Sequence, residues 1–165
     1  MKTQCFRLSA LFCMLGVSFV LAGCGTGKTM VMDAGESRKV NSIAVVEGQS
    51  TVTVPAEAET TFKNKLDELL FTKGGFQHGD EVTLTYRFVQ FNAGSRFKRW
   101  FTGGIGNSGE GNLTIEVVYS DKSGKQLGKI MSEGKIGSGI FGGSSDDAIE
   151  KAAEEIASYS ISHFK

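Results

Sequence analysis

The chain has 165 residues, with 18 lysines and arginines against 18 aspartates and glutamates, 22 glycines and a single proline. A balanced charge excludes the broad electrostatic attraction that non-specific nucleic-acid binding requires. The length supports one domain with a real hydrophobic core.

The N-terminal segment runs charged, then apolar, then small: Lys2 and Arg7, a nearly unbroken apolar stretch from Leu11 to Leu21, then Ala22 and Gly23. That order is an export signal. A membrane-spanning helix needs about 20 apolar residues, and this run is roughly half of that. Leu21-Ala22-Gly23-Cys24 resembles the lipobox of bacterial lipoproteins, in which small residues admit a peptidase to the bond before a lipid-bearing cysteine. The resemblance implies a signal peptide over residues 1–23, cleavage between Gly23 and Cys24, and acyl chains such as palmitate on Cys24. One chain binds a membrane only reversibly, whereas two or more anchor stably. Gly25 in place of an aspartate implies sorting to the outer membrane, with the domain facing the periplasm.

Loss of the signal removes Lys2, Arg7 and no acid, so 16 basic residues face 18 acidic ones in residues 24–165. Cys5 and Cys13 leave with it and Cys24 is blocked by lipid, so no disulfide forms within the mature chain. Ala22 to Thr29 also fits a loose nucleotide-loop pattern ending in Gly27-Lys28-Thr29. A phosphate loop needs a strand before it and a helix after it. Here a signal peptide precedes it and no amphipathic helix follows. Residues 24–40 are poor in apolar side chains and read as a flexible tether, leaving a single domain over 41–165.

Ser42 to Val46 is a compact apolar run, expected as an inner strand of a covered sheet. Thr51 to Val54 alternates as a short edge or extended segment. Pro55 suits a first helical turn, and Phe62, Leu66, Leu69 and Leu70 line one face of a helix reaching to about Lys73, where Gly74-Gly75 stops it. Val82, Leu84, Tyr86 and Phe88 alternate along a second strand, with Thr83, Thr85, Arg87 and Val89 on its other face. A strand–helix–strand crossover makes these two strands parallel. Leu113, Ile115, Val117 and Tyr119 alternate again, Asp121 to Gly124 turns the chain, and Leu127 to Met131 returns, which is a hairpin. Ser144 or Ser145 caps a closing helix with Asp146 and Asp147 in its first turn, and Ile149, Ala152, Ala153, Ile156 and Phe164 form its inner side. The expected fold is a two-layer α/β (α+β) domain: a mixed four-stranded sheet in the order β-α-β-β-β-α, with two helices packed on one face.

The hairpin joins two glycine clusters at its open end, Gly103, Gly104, Gly106, Gly109 and Gly111 with Gly134, Gly137, Gly139, Gly142 and Gly143. The first follows Arg96-Phe97-Lys98-Arg99-Trp100-Phe101, three cations interleaved with three aromatics. Three readings apply: a solvated strand extension, an aromatic-cationic edge at a lipid headgroup boundary, or a surface for a protein or glycan. The candidate surface therefore comprises Arg96, Phe97, Lys98, Arg99, Trp100, Phe101, Gly103, Gly104 and Gly106.

The alternating strand, Arg96, the run Gly103-Gly104-Ile105-Gly106, the strand Leu113 to Tyr119, the turn Asp121 to Gly124 and the Ala-rich last helix together resemble a domain-of-unknown-function family of bacterial lipoproteins, DUF4410. The element order is also distantly similar to curli-secretion lipoproteins and to lipoprotein activators of peptidoglycan synthases. A shared fold does not carry a function, and neither likeness supplies an active site. His78, in a loop, and His163, at a frayed C-terminus, lack a cysteine or carboxylate at metal-ligand spacing, and Ser144 to Asp147 has no accompanying base. Glu154-Glu155 reads as a solvated helix face. The expectation is a non-enzymatic lipoprotein without cofactor, metal or nucleic-acid partner. It is held to the membrane through Cys24 and binds an envelope protein or itself at the glycine-rich end; the alternative is a small hydrolase or ligand-binding protein with a pocket there.

Overall fold

The computed structural model describes residues 25–92, 111–136 and 145–165. Its elements are β1 (Gly25–Asp33), β2 (Ser42–Glu47), α1 (Ala56–Asp67) running into a π-helical turn (Glu68–Lys73), β3 (Gln77–His78), β4 (Val82–Asn92), β5 (Gly111–Asp121), β6 (Gln126–Ile136) and α2 (Ser145–Phe164). The six strands form one sheet in the order β1-β6-β5-β4-β2-β3. The expected four-stranded sheet is thus corrected by two edge strands, β1 and the two-residue β3.

β1 occupies the stretch expected as a tether. It pairs antiparallel with β6 from Gly25 opposite Ile136 to Asp33 opposite Lys129, with one register shift after Val31. Val31 and Met32 are exposed, so backbone hydrogen bonding to β6 holds this strand more than side-chain burial does. That is why hydrophobic periodicity does not reveal it. Residues 34–41 are held as well. The amide of Glu36 donates to the Leu127 carbonyl at 2.8 Å, and those of Arg38 and Val40 donate to the carbonyls of His163 and Phe164 at 3.2 and 2.9 Å. The last two bonds satisfy carbonyls at the end of α2 that have no partner within the helix. Gly35 has φ +56°, and a Cβ there would lie 1.6 Å from the Leu127 carbonyl oxygen, so this corner accepts only glycine.

β2 and β4 are parallel, Ile43 opposite Val82 and Val46 opposite Thr85, as the crossover rule requires. β2 is not covered on both faces, however: Ile43 is fully buried while Val46 is 45% exposed. Residues 51–54 join no strand, although the Thr51 amide bonds the Phe88 carbonyl at 2.9 Å. β4 and β5 pair antiparallel, as do β5 and β6.

Both helices cover the same sheet face. Ala58, Phe62, Leu66 and Leu70 recur every four residues along α1 and its π turn and are all buried. Phe62 meets Tyr86 and Phe88 edge-on at 5.0 and 5.5 Å, a geometry favoured by the ring quadrupoles. Burying a side chain of this size stabilises the fold by about 1.5–3 kcal/mol. The π turn closes when the Gly74 amide bonds the Leu69 carbonyl at 2.8 Å. On α2 the inner residues Ile149, Ala152, Ala153, Ile156 and Phe164 are buried as expected. Its alanines let the helix approach closely, so Ser132 Oγ donates to the Ala152 carbonyl at 3.0 Å and the buried Tyr119 and Ser160 hydroxyls bond at 2.8 Å.

On the opposite sheet face, Glu116 is sandwiched between two cations. Arg87 Nη2 lies 2.8 Å from Glu116 Oε1 and Lys129 Nζ 2.9 Å from Oε2. Burial pushes the Glu116 carboxyl up, but the hydrogen bonds from Lys129 and Arg87 outweigh it, leaving the group below the usual carboxylate range.

Candidate functional site

Four strand termini meet at one end of the sheet. β4 ends with Asn92 opposite Asn112 of β5. Gly111 of β5 is opposite Ile136 of β6, and Ile136 is opposite Gly25 of β1. The helix α2 also begins near this end. A Cβ on Gly134 would lie 1.9 Å from the Ala148 carbonyl oxygen, so the first turns of α2 rest directly on the β6 backbone. From there α2 passes Ser132 and Tyr119 and finishes beside Val40.

The two glycine-rich segments therefore leave and re-enter the domain at one place: 93–110 between Asn92 and Gly111, and 137–144 between Ile136 and Ser145. The candidate residues Arg96, Phe97, Lys98, Arg99, Trp100, Phe101, Gly103, Gly104 and Gly106 lie outside the described residues, as do Gly23 and Cys24. What the fold supplies is their common point of departure. Of the two clusters, Gly111 and Gly134 fall within the described strands. Gly27-Lys28-Thr29 lies in β1, so a strand stands where a phosphate loop needs a helix.

Around this end, Lys28 is opposite Glu133 and Thr26 opposite Lys135, with Lys135 Nζ 3.6 Å from Glu133 Oε2. Glu155 corrects an expectation: Thr29 Oγ1 donates to its Oε2 at 2.8 Å, so this carboxylate ties α2 to β1 and is not simply a solvated group. Glu154 takes Lys151 at 2.6 Å. The Glu155 contact has no signal in the sequence, because its partner lies 126 positions away on an unforeseen strand.

At the opposite end, Arg38, Lys39, Val40, Glu81, Asp121, Lys122 and Ser123 line a shallow, open groove. Its charged groups are engaged in building the fold. The Glu81 carboxylate accepts the Asn41 and Ser42 amides at 2.7 and 2.9 Å, which hold it below the usual carboxylate range. Asp121 accepts the Ser123 hydroxyl at 2.6 Å and the Ser123 amide at 2.8 Å, and it too is held low. Arg38 Nη2 donates to the Glu81 carbonyl at 2.7 Å, and Lys122 pairs with Asp80 at 2.8 Å. These bonds close the turn and fasten β2 to β4.

The histidines differ from their expected settings. His78 lies in β3, not a loop, and stacks on Phe71 at 3.7 Å. His163 lies in the last turn of α2 and stacks on Tyr159 at 3.8 Å, so this terminus is tied down and not frayed. Among the described residues no three His, Cys, Asp or Glu side chains gather to hold a metal ion. None of the described helices is long and apolar enough to cross a membrane.

Comparison with solved structures gives remote likenesses. A PelC dodecamer variant from Paraburkholderia phytofirmans is 18% identical over 82% of this chain and 96% of its own, with a TM-score of 0.49. A second PelC dodecamer from the same organism is 13% identical over 86% and 99%, with a TM-score of 0.44. A minor lipoprotein from Acinetobacter baumannii is 12% identical over 74% and 93%, with a TM-score of 0.40. No curated protein matches. In sequence, residues 55–139 match the family described as a domain of unknown function, DUF4410. This match runs from the N-terminus of α1 through the whole β5–β6 hairpin, and by it the chain belongs to the DUF4410 family.

Proposed function

We propose that this protein is a lipid-anchored, non-catalytic component of the bacterial envelope that binds another envelope protein, or itself, through the glycine-rich end of its sheet. The signal segment and lipobox support anchoring through acyl chains on Cys24. Gly25 at the second mature position supports the outer membrane, with the domain on the periplasmic side. The observation that carries the binding role is the register of β4, β5 and β6, which brings the ends of both glycine-rich segments together. Backbone without side chains can approach a partner closely, and the cations and aromatics of 96–101 are residue types favoured at binding hot spots.

Two variants of the tagged chain test this reading. Cys24→Ser, carried on a chain whose residues 1–23 are replaced by an export signal cut without lipid, is expected to leave the membrane fraction, because it has neither acyl chains nor the apolar signal run. The triple change of Gly103, Gly104 and Gly106 to valine is expected to keep membrane attachment and thermal stability while losing the co-purifying partner or the self-association. Unchanged association in the triple variant contradicts the binding role. Turnover of an ester or glycan substrate by the wild type, lost in the triple variant, favours a hydrolase at the same end.

A further inference from the structure

We infer that the sheet end bearing Gly25, Gly111 and Ile136 is seated at the lipid headgroup surface, with the β5–β6 turn directed away from the membrane. The inference rests on Cys24 being the acylated residue. Its new element is orientation, which follows from how little chain separates the lipid from the fold. A flexible tether over 24–40 would reach tens of ångströms, since an extended chain spans about 3.3–3.6 Å per residue. Such a tether would let the domain tumble freely. Instead, Gly25 is already paired with Ile136, and the register continues through Lys28 opposite Glu133 to Val31 opposite Ile130. Asp33 continues it beyond one shift.

No hinge follows β1 either, because Glu36, Arg38 and Val40 are bonded to Leu127, His163 and Phe164. The link between Cys24 and Gly25 is therefore the joint about which the domain can pivot. Acyl chains buried in the bilayer hold the Cys24 sulfur at its boundary, and the first rung of β1 and β6 lies within about one residue's reach of it. The turn at Asp121 to Lys125 is at the other end of β5, whose 11 residues span about 35 Å at roughly 3.4 Å each. Exposed Lys28 and Lys135 lie on the membrane-proximal half of the β1–β6 pair. Glu133, opposite Lys28 and 3.6 Å from the Lys135 ammonium, offsets one of the two charges, and the lysine stems suit a headgroup layer.

The mature chain has no cysteine beyond Cys24, which acylation occupies, so a single introduced thiol labels uniquely. Lys135→Cys and Ser123→Cys, in the full acylated protein, mark the near and far ends at exposed positions. Each is labelled with a fluorophore and reconstituted into vesicles of phosphatidylethanolamine and phosphatidylglycerol containing a headgroup-nitroxide lipid. In protein that floats with the vesicles, the label at 135 is expected to be quenched several-fold more strongly than that at 123. Equal quenching, or stronger quenching at 123, overturns the orientation. Protein that does not float refutes the acylation reading instead. A Gly/Ser insert of about fifteen residues between Cys24 and Gly25 is expected to abolish the difference. Persistence of the difference with the insert contradicts the short link as its cause.

Discussion

Gly25 stands opposite Ile136 on the first rung of β1 and β6. The residue that follows the expected lipidation site is therefore already part of the sheet. This relationship turns a stretch that reads as a spacer into a structural strand, and it leaves no spacer between that expected site and the fold.

If β1 belongs to the sheet, removing it must cost stability. A soluble version beginning at Ala34 is expected to melt more than about 5 °C below one beginning at Gly25. Circular dichroism on the two forms measures this. Equal melting temperatures would return residues 25–33 to the role of a tether.

The contact between Gly134 and Ala148 predicts an asymmetry between two glycines. A Cβ at 134 meets backbone at 1.9 Å, whereas one at 27 meets the flexible Cγ of Glu155 at 2.8 Å. Gly134→Ala is expected to destabilise by about 1–3 kcal/mol through overpacking, and Gly27→Ala by less. Urea unfolding of both variants tests the ranking.

Phe62 joins α1 to Tyr86 and Phe88 and is fully buried. Phe62→Ala is expected to cost about 3–5 kcal/mol through lost contact and a residual cavity. That is a large share of the 5–15 kcal/mol or so typical of a domain, so the variant should sit close to its unfolding transition at 37 °C, as a thermal melt would reveal.

Glu116 gives the pH dependence. Its carboxyl titrates lower in the folded state than in the unfolded chain. Folding therefore favours the ionised form. The associated stability is present above the unfolded value and is lost as pH falls through the lower folded one. Glu116→Gln is expected to lower stability at pH 7 by about 1–2 kcal/mol, given that Arg87 and Lys129 keep partial access to water. It should also flatten the acid limb of a stability curve below about pH 5. An unaltered acid limb would remove Glu116 from this role.

The parts of the fold that sequence reveals are those held by side-chain burial. The alternation of Val82, Leu84, Tyr86 and Phe88, the four-residue spacing of Phe62, Leu66 and Leu70, and the turn at Asp121 to Gly124 all have their predicted positions. The elements that escape it are held by backbone bonding. β1 is partly exposed on an edge, β3 has two residues, and residues 34–41 are fixed by amides that bond Leu127, His163 and Phe164. A hydrophobic period carries no trace of such bonds.

The same division applies to the candidate site. That the two glycine-rich segments share an end follows from a hairpin visible in the sequence and present in the register. That Cys24 adjoins this end depends on β1, which only the backbone pairing reveals. Cys24 and residues 96–106 lie outside the described residues, so their chemistry rests on their sequence and on the anchoring points around them.

The most direct measurement is the intact mass of the native protein extracted from membranes in detergent. The account predicts a chain running from Cys24 to Lys165 with the added mass of acyl groups, located by fragmentation on Cys24. An unacylated chain retaining residues 1–23 and partitioning into the aqueous phase would contradict it.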